Sequence, residues 1–160
     1  MPSFHIEETR FGDPEARKTE PSQLELESIQ PTQVANVSPN GRLNELARGR
    51  EALEKYFAGI AQFNICHIPP REGSAHHYHP ESKTEILTVG YGEIEVILEN
   101  PVTKQRVIRQ VKKGYEILIP KGIAHGIYNR SPDTVAVFNE RATMAFEPKN
   151  AKKDVVPYDI

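Results

Sequence analysis

Residues 114–129 read GYEILIPKGIAHGIYN, and their pattern sets the fold class. Glu116–Ile119 reads as a short strand, Pro120-Lys121-Gly122 as a tight turn, and Ala124–Asn129 as a second strand. A histidine, His125, lies inside the second strand with apolar residues on both sides. The same rhythm extends outward. Further strands are expected over 61–68, 85–89, 93–99, 106–111 and 134–140, separated by Gly90-Tyr91-Gly92, Asn100-Pro101, Lys113-Gly114 and Ser131-Pro132-Asp133. In the run from Glu93 to Glu99, Ile94, Val96 and Leu98 fall on one face while Glu93, Glu95 and Glu99 fall on the other. Many short strands at regular spacing in a chain of this size predict an antiparallel sandwich or small barrel.

The chain has 160 residues, the size of one domain, with 38% apolar and 26% charged residues, as in globular proteins. A net charge of −2 gives no general attraction to nucleic acid or anionic membrane, so no nucleic-acid partner is expected. No apolar run approaches the roughly 18 residues of a membrane span. The first residues, MPSFHIEE, have no apolar core of a signal peptide, so a cytoplasmic location is expected. The single cysteine, Cys66, reads as a small core residue.

Residues 1–41 are rich in Pro, Glu, Gln, Ser and Thr and form an N-terminal arm, expected to dock on a partner subunit; residues 42–160 form the barrel domain. Within the arm, Leu24, Leu26 and Ile29 suggest an alternating edge strand. One helix competes with the strands, over GREALEKYF (49–57), with Ala52, Leu53, Tyr56 and Phe57 on its apolar face.

The chemistry is concentrated in SAHHYHPESKTEI, residues 74–86. His77 and His79 are two apart, so on a strand both imidazoles enter the same space. A hairpin through PESKT would bring Glu85 back beside them, and Glu81 would lie on the turn surface. With His125 added, three imidazoles and a carboxylate suit one divalent transition metal and leave positions open for water or substrate. The competing reading is a polar surface loop.

The stretch 114–129 resembles the second motif of the cupin superfamily, with Gly114, Pro120, Gly122, His125 and Asn129 at its spacing. His77, His79, Glu85 and Gly92 resemble the first motif, with two departures. Five residues separate His79 from Glu85, and Arg71 stands where the motif opens on glycine. The resemblance implies an all-β cupin, a double-stranded β-helix or jelly-roll barrel that is often dimeric. It also implies His77, His79, Glu85 and His125 as ligands of one metal ion.

Within that superfamily, HHYHPESKTEILTVGYGE, ILENPVTKQ and KGIAHGIYN resemble the cupin domain of capsular-polysaccharide nucleotide-sugar enzymes, where a zinc-bearing barrel is linked to epimerisation. GRLNELARG (41–49) is similar to the opening strand of sugar-epimerase cupins. The arginine-glycine pair before the base histidine of rhamnose-type epimerases is replaced by Ser74-Ala75. The implied function is a metal-dependent sugar isomerase or epimerase with a sugar-derived small-molecule substrate, working as a homodimer. Zinc is the first choice of metal, with Fe, Ni or Mn as alternatives. His76, Tyr128 and Lys83 are the candidate acid/base groups. Each has a plainer reading: a solvated turn residue, barrel wall and a surface charge. Two other functions share the ligand set, an Fe(II)-dependent oxygenase and a non-catalytic ligand-binding module.

Overall fold

Alternation along the run from Glu93 predicts an inner face of Ile94, Val96 and Leu98, and all three are fully buried in the computed structural model. The structure describes residues 23–37, 44–80, 83–145 and 155–160. In chain order the elements begin with α1 (Gln23–Ser28), β1 (Thr32–Gln33), β2 (Asn36–Val37), β3 (Asn44–Glu45) and α2 (Arg50–Phe57). Then come β4 (Gln62–Ile68), β5 (Gly73–Tyr78), β6 (Glu85–Tyr91) and β7 (Glu93–Glu99). The series closes with β8 (Arg106–Lys112), β9 (Tyr115–Ile119), β10 (Ala124–Tyr128), β11 (Ala136–Ala142) and β12 (Val156–Pro157).

Two five-stranded sheets form, ordered β1-β9-β6-β11-β4 and β12-β5-β10-β7-β8, and β2 pairs with β3 apart from them. The pairing is nested: β4 with β11, β5 with β10, β6 with β9 and β7 with β8, all antiparallel. Residues 62–142 are thus one long antiparallel ribbon, with alternate pairs assigned to alternate sheets, which is the jelly roll. Between the sheets, Leu87, Val89, Ile117, Ile119 and Phe138 meet Val96, Leu98, Val107 and Val111. Each such side chain contributes roughly 1.5–3 kcal/mol on burial. This apolar filling holds the sheets together and leaves one end of the barrel, where Glu85 lies opposite Ala142 and Ala142 opposite Gln62, free for polar groups.

The strands expected from the sequence are found with small shifts at their ends, and α2 matches the expected helix. Tyr56 of α2 lies 3.7 Å beneath the Arg141 guanidinium, which also donates to the Tyr56 carbonyl at 2.9 Å. The expected edge strand at Leu24–Ile29 is corrected: residues 23–28 are helical. The inserted side chains explain why. Leu26 is buried in the core and Ile29 packs against it, a separation of three that suits a helix and not a strand. The strand follows instead at β1, which pairs with β9, while Val34 and Ala35 donate to the Gly114 carbonyl. Residues 23–35 therefore pack on the barrel of their own chain. Residues 1–22 and 38–41 of the arm, and the turn residue Glu81, lie outside the described residues.

Candidate metal centre

The backbone around the histidines departs from a plain hairpin in two ways. First, β5 and β6 do not pair. β6 lies in the sheet of β9 and β11, and β5 in the sheet of β10 and β7. Glu85 consequently reaches the histidines from across the barrel, which corrects the hairpin expected from the sequence. The nested ribbon sends consecutive strands to opposite sheets, so a short connection can span the interior.

Second, β5 carries a bulge. His77 pairs with His125 and Ser74 with Ile127, so Ala75 and His76 together oppose Gly126. Ala75 adopts a left-handed conformation with φ 64°, which costs a non-glycine residue about 1–2 kcal/mol. Counted from Gly73 by strict alternation, His76 would face inward and His77 outward; the bulge reverses them. The turn before His125 is tied down as well. Gly122, left-handed at φ 77°, donates its N–H to the His79 carbonyl at 2.7 Å.

Inside, one ligating atom each from His77, His79, Glu85 and His125 lie within 4.8 Å of one another. The Nε2 atoms of His77 and His79 are 3.2 Å apart. Glu85 places Oε1 3.0 Å from His79 Nε2 and Oε2 3.0 Å from His125 Nε2. Donors sharing one tetrahedral ion at roughly 2.1 Å stand about 3.4 Å apart, close to these separations.

The tautomers point the same way. His125 Nδ1 is 3.2 Å from the Ile123 carbonyl and donates to it, which leaves a lone pair on Nε2. That Nε2 is buried and makes no aligned hydrogen bond among the described residues, although a carboxylate oxygen is 3.0 Å away. Two acceptors this close need a cation or a shared proton between them. The residues present therefore fit a divalent ion.

Charge states support the same fit. Burial, reinforced by His125 and His79, lowers the His77 pKa to about 3, so the ring is neutral and can ligate. Burial works to raise the Glu85 pKa, but its contacts with His125 and His79 outweigh burial and hold the carboxyl well below the usual carboxylate range. Burial, with Glu140 and Glu85 adding to it, pushes the Cys66 thiol up to about 11. It stays a thiol at neutral pH.

The three acid/base candidates separate. Lys83 is buried, which corrects its reading as a surface charge, and its ammonium lies 3.0 Å from Glu85 and 3.7 Å from Glu140. His76 and Tyr128 contact each other edge to face at 5.3 Å, and Tyr128 donates to the Ile160 carbonyl. The Tyr128 ring lies over Gly73 and Gly126, where a Cβ would meet it at 2.6 and 3.0 Å. Both belong to the outer face of their sheet, away from the ligands. Sequence reasoning missed Glu140, which lies on the inner face beside Lys83, and Asn64 and Gln62, which follow it in a row. Their signal was period two: Ala136, Phe138, Glu140 and Ala142 share a parity, with acid where the flanking positions are apolar.

The model of the Cupin_2 family, described as a cupin domain, matches residues 64–139. Among curated proteins no sequence match is found. Among solved structures, the capsular polysaccharide assembling protein CapF from Staphylococcus aureus aligns with a TM-score of 0.57 at 22% identity. The alignment covers 62% of this chain and 27% of CapF, so the chain spans about a quarter of that protein. The dTDP-6-deoxy-D-glucose-3,5-epimerase RmlC of Legionella pneumophila, solved with dTDP-4-keto-L-rhamnose, gives 0.58 at 19% identity, covering 81% and 76% of the two chains. The QdtA 3,4-ketoisomerase of Thermoanaerobacterium thermosaccharolyticum, solved with TDP, gives 0.57 at 12% identity, covering 80% and 83%. Nested strand pairing, the second histidine motif at cupin spacing and the family match together identify residues 64–139 as a cupin domain, with the fold of an RmlC-like barrel.

Proposed function

We propose that this chain is a metal-dependent isomerase or epimerase that removes a proton beside the carbonyl of a nucleotide-activated sugar. The observation that carries the reading is the cluster of three imidazoles and one carboxylate, half-buried at His77 and buried at the other three, with the His125 lone pair turned towards it. Similarity to barrels solved as sugar-nucleotide epimerases and a ketoisomerase supports the substrate class. His77, His79, Glu85 and His125 hold the ion. The mixed nitrogen and oxygen donors suit zinc, with Fe, Ni or Mn as alternatives. When bound, the ion would polarise the substrate carbonyl. Lys83 orients Glu85 through their 3.0 Å contact, and serves as an acid/base candidate from inside the barrel. His76 and Tyr128 would need to act from the outer face, so their part in the proposal is the support of β5 and β10.

A homodimer belongs to the same proposal. Leu53, Phe57, Phe63 and Ile65 leave an exposed apolar patch on α2 and on β4, at the edge of its sheet. A cytoplasmic location belongs to it too; among the described residues no helix is long and apolar enough to cross a membrane.

The test joins metal content to proton exchange. Elemental analysis of the purified protein should give one zinc per chain. Metal-replete protein should wash solvent deuterium into a 4-keto nucleotide sugar such as dTDP-4-keto-L-rhamnose. Iron with oxygen uptake would favour an oxygenase, and a panel of keto-sugars without any exchange would end the isomerase reading.

A further inference from the structure

The inner wall beside the ligands carries a polar row that the four ligands leave unused. Gln62 and Asn64 of β4 and Glu140 of β11 share the inward parity, and Asn64 pairs with Glu140 in the register. Gln62 Nε2 is 3.4 Å from Asn64 Oδ1, and Asn64 Nδ2 is 3.4 Å from Glu140 Oε1. All three are part-exposed, while His79, Glu85 and His125 are buried. Lys83 joins row to ligands, touching Glu85 on one side and Glu140 on the other.

The inner-face groups able to take a proton differ in how far they are already engaged. The imidazoles and Glu85 turn their lone pairs on one another. Lys83 is enclosed between two carboxylates, and the Cys66 thiol is held protonated. Glu140 differs from all of them. Its nearest donors stand off at 3.4 Å and 3.7 Å, so its oxygens are weakly engaged, and its side chain is 18% exposed. The amides of Asn64 and Gln62 supply donors and acceptors next to it, as recognition of adjacent hydroxyl groups requires.

We propose that Glu140 takes the substrate proton and gives it back, with Asn64 and Gln62 holding hydroxyls of a polyhydroxylated carbonyl substrate against it. The proposal rests on the isomerase reading above. In the step, the C–H bond beside the carbonyl breaks and its proton bonds to a Glu140 oxygen. The electron pair forms the C=C bond of an enolate while the carbonyl π pair moves onto oxygen. Return of the proton to carbon, directly or after exchange with solvent, restores the carbonyl. Burial, with the negative charge of Glu85 adding to it, raises the Glu140 pKa, while Lys83, His125 and His79 oppose that shift. A base raised this way is better matched to neutral pH.

The experiment measures solvent-deuterium incorporation into dTDP-4-keto-L-rhamnose by mass spectrometry, across pH, for zinc-replete wild type, Glu140→Gln and Glu140→Asp. Glu140→Gln keeps shape and neighbours but cannot take the proton. It should slow exchange by about 100-fold or more, lose the acid limb of the pH profile, and retain one zinc per chain and an unchanged melting temperature. Glu140→Asp should recover part of the rate. Asn64→Ala should raise KM with a smaller effect on kcat. Exchange by Glu140→Gln within about threefold of wild type, far below the loss expected for a lost base, overturns the assignment, as does loss of zinc from that variant. If wild type itself exchanges no probe, the isomerase reading has failed and this assignment goes with it. A silent variant beside an active wild type tells the two cases apart.

Discussion

Replacing His77 with alanine tests the metal centre with the least damage to the fold. His77 is only half-buried, whereas the other three ligands are 1–4% exposed. Truncation therefore opens a space that water can fill, and its direct cost should be about 1 kcal/mol. The larger effect comes through the ion. Losing one of four ligands should weaken zinc binding by about 100-fold or more, about 2.7 kcal/mol. At zinc about a thousand times the wild-type Kd, that difference appears almost fully as lost stability. In a chain of this size each kcal/mol moves Tm by about 2–4 °C, so the zinc-dependent part of the shift should fall by about 5–11 °C. The assay is thermal unfolding with and without a chelator, paired with elemental analysis of gel-filtered protein. On chelation wild type should lose about 4.1 kcal/mol of stability and His77→Ala about 1.4 kcal/mol or less. If His77→Ala keeps one tightly held zinc and the full chelator-dependent shift, the ligand assignment is wrong.

The same pair of proteins, stripped of zinc, gives a pH test. Burial holds the folded His77 pKa near 3, below an unfolded value of about 6.5. Between those values the unfolded chain binds more protons, so stability falls as pH drops from about 6.5 towards 3. His77→Ala should show a shallower decline over that window by urea unfolding, and equal slopes would contradict the burial argument. At the bulge, Ala75→Val should lower stability by about 2 kcal/mol, because a β-branched residue tolerates positive φ poorly. Ala75→Gly should stay within about 1 kcal/mol of wild type; similar losses in both would show that packing, not backbone strain, sets the site. Arg141 and Glu116 form a buried pair at 2.5 Å on the outer face beneath α2, with Thr88 donating to Glu116. Glu116→Leu should cost about 3–5 kcal/mol by leaving the guanidinium uncompensated. The double change with Arg141→Met should recover much of that, and additive losses would show that the pair is not the source.

Much of the barrel was legible because period-two alternation and turn chemistry are local properties. Ile94, Val96 and Leu98 declare their face within seven residues, and Gly114, Pro120 and Gly122 mark corners without tertiary context. The four residues that meet at the candidate centre were legible for a similar reason, as motif spacing carries them. How they meet was not. Which sheet a strand joins is decided by pairing across the whole ribbon, so Glu85 was expected beside the histidines and lies opposite them. Lys83 looked like a surface charge since its burial depends on Glu140, far along the chain. The bulge at Ala75 left no signal because no glycine marks it. In the arm, Leu26 and Ile29 showed apolar residues without the length to reveal their period, and a short helix was read as a strand.

The nested ribbon also bears on how the chain reaches its final form. Its innermost pair, β7 with β8, closes over a short loop, while β4 must find β11 from the far end of the ribbon. Loop-closure entropy favours zipping from the inside outward. The ligands occupy the middle rungs, Glu85 on one sheet and His77 and His125 on the other. They come together only once most of the ribbon is paired. An ion there would act as a clasp applied late, bridging layers otherwise joined mainly by apolar contact. Zinc should therefore leave the refolding rate nearly unchanged and slow unfolding, lengthening the life of the closed barrel more than hastening its formation.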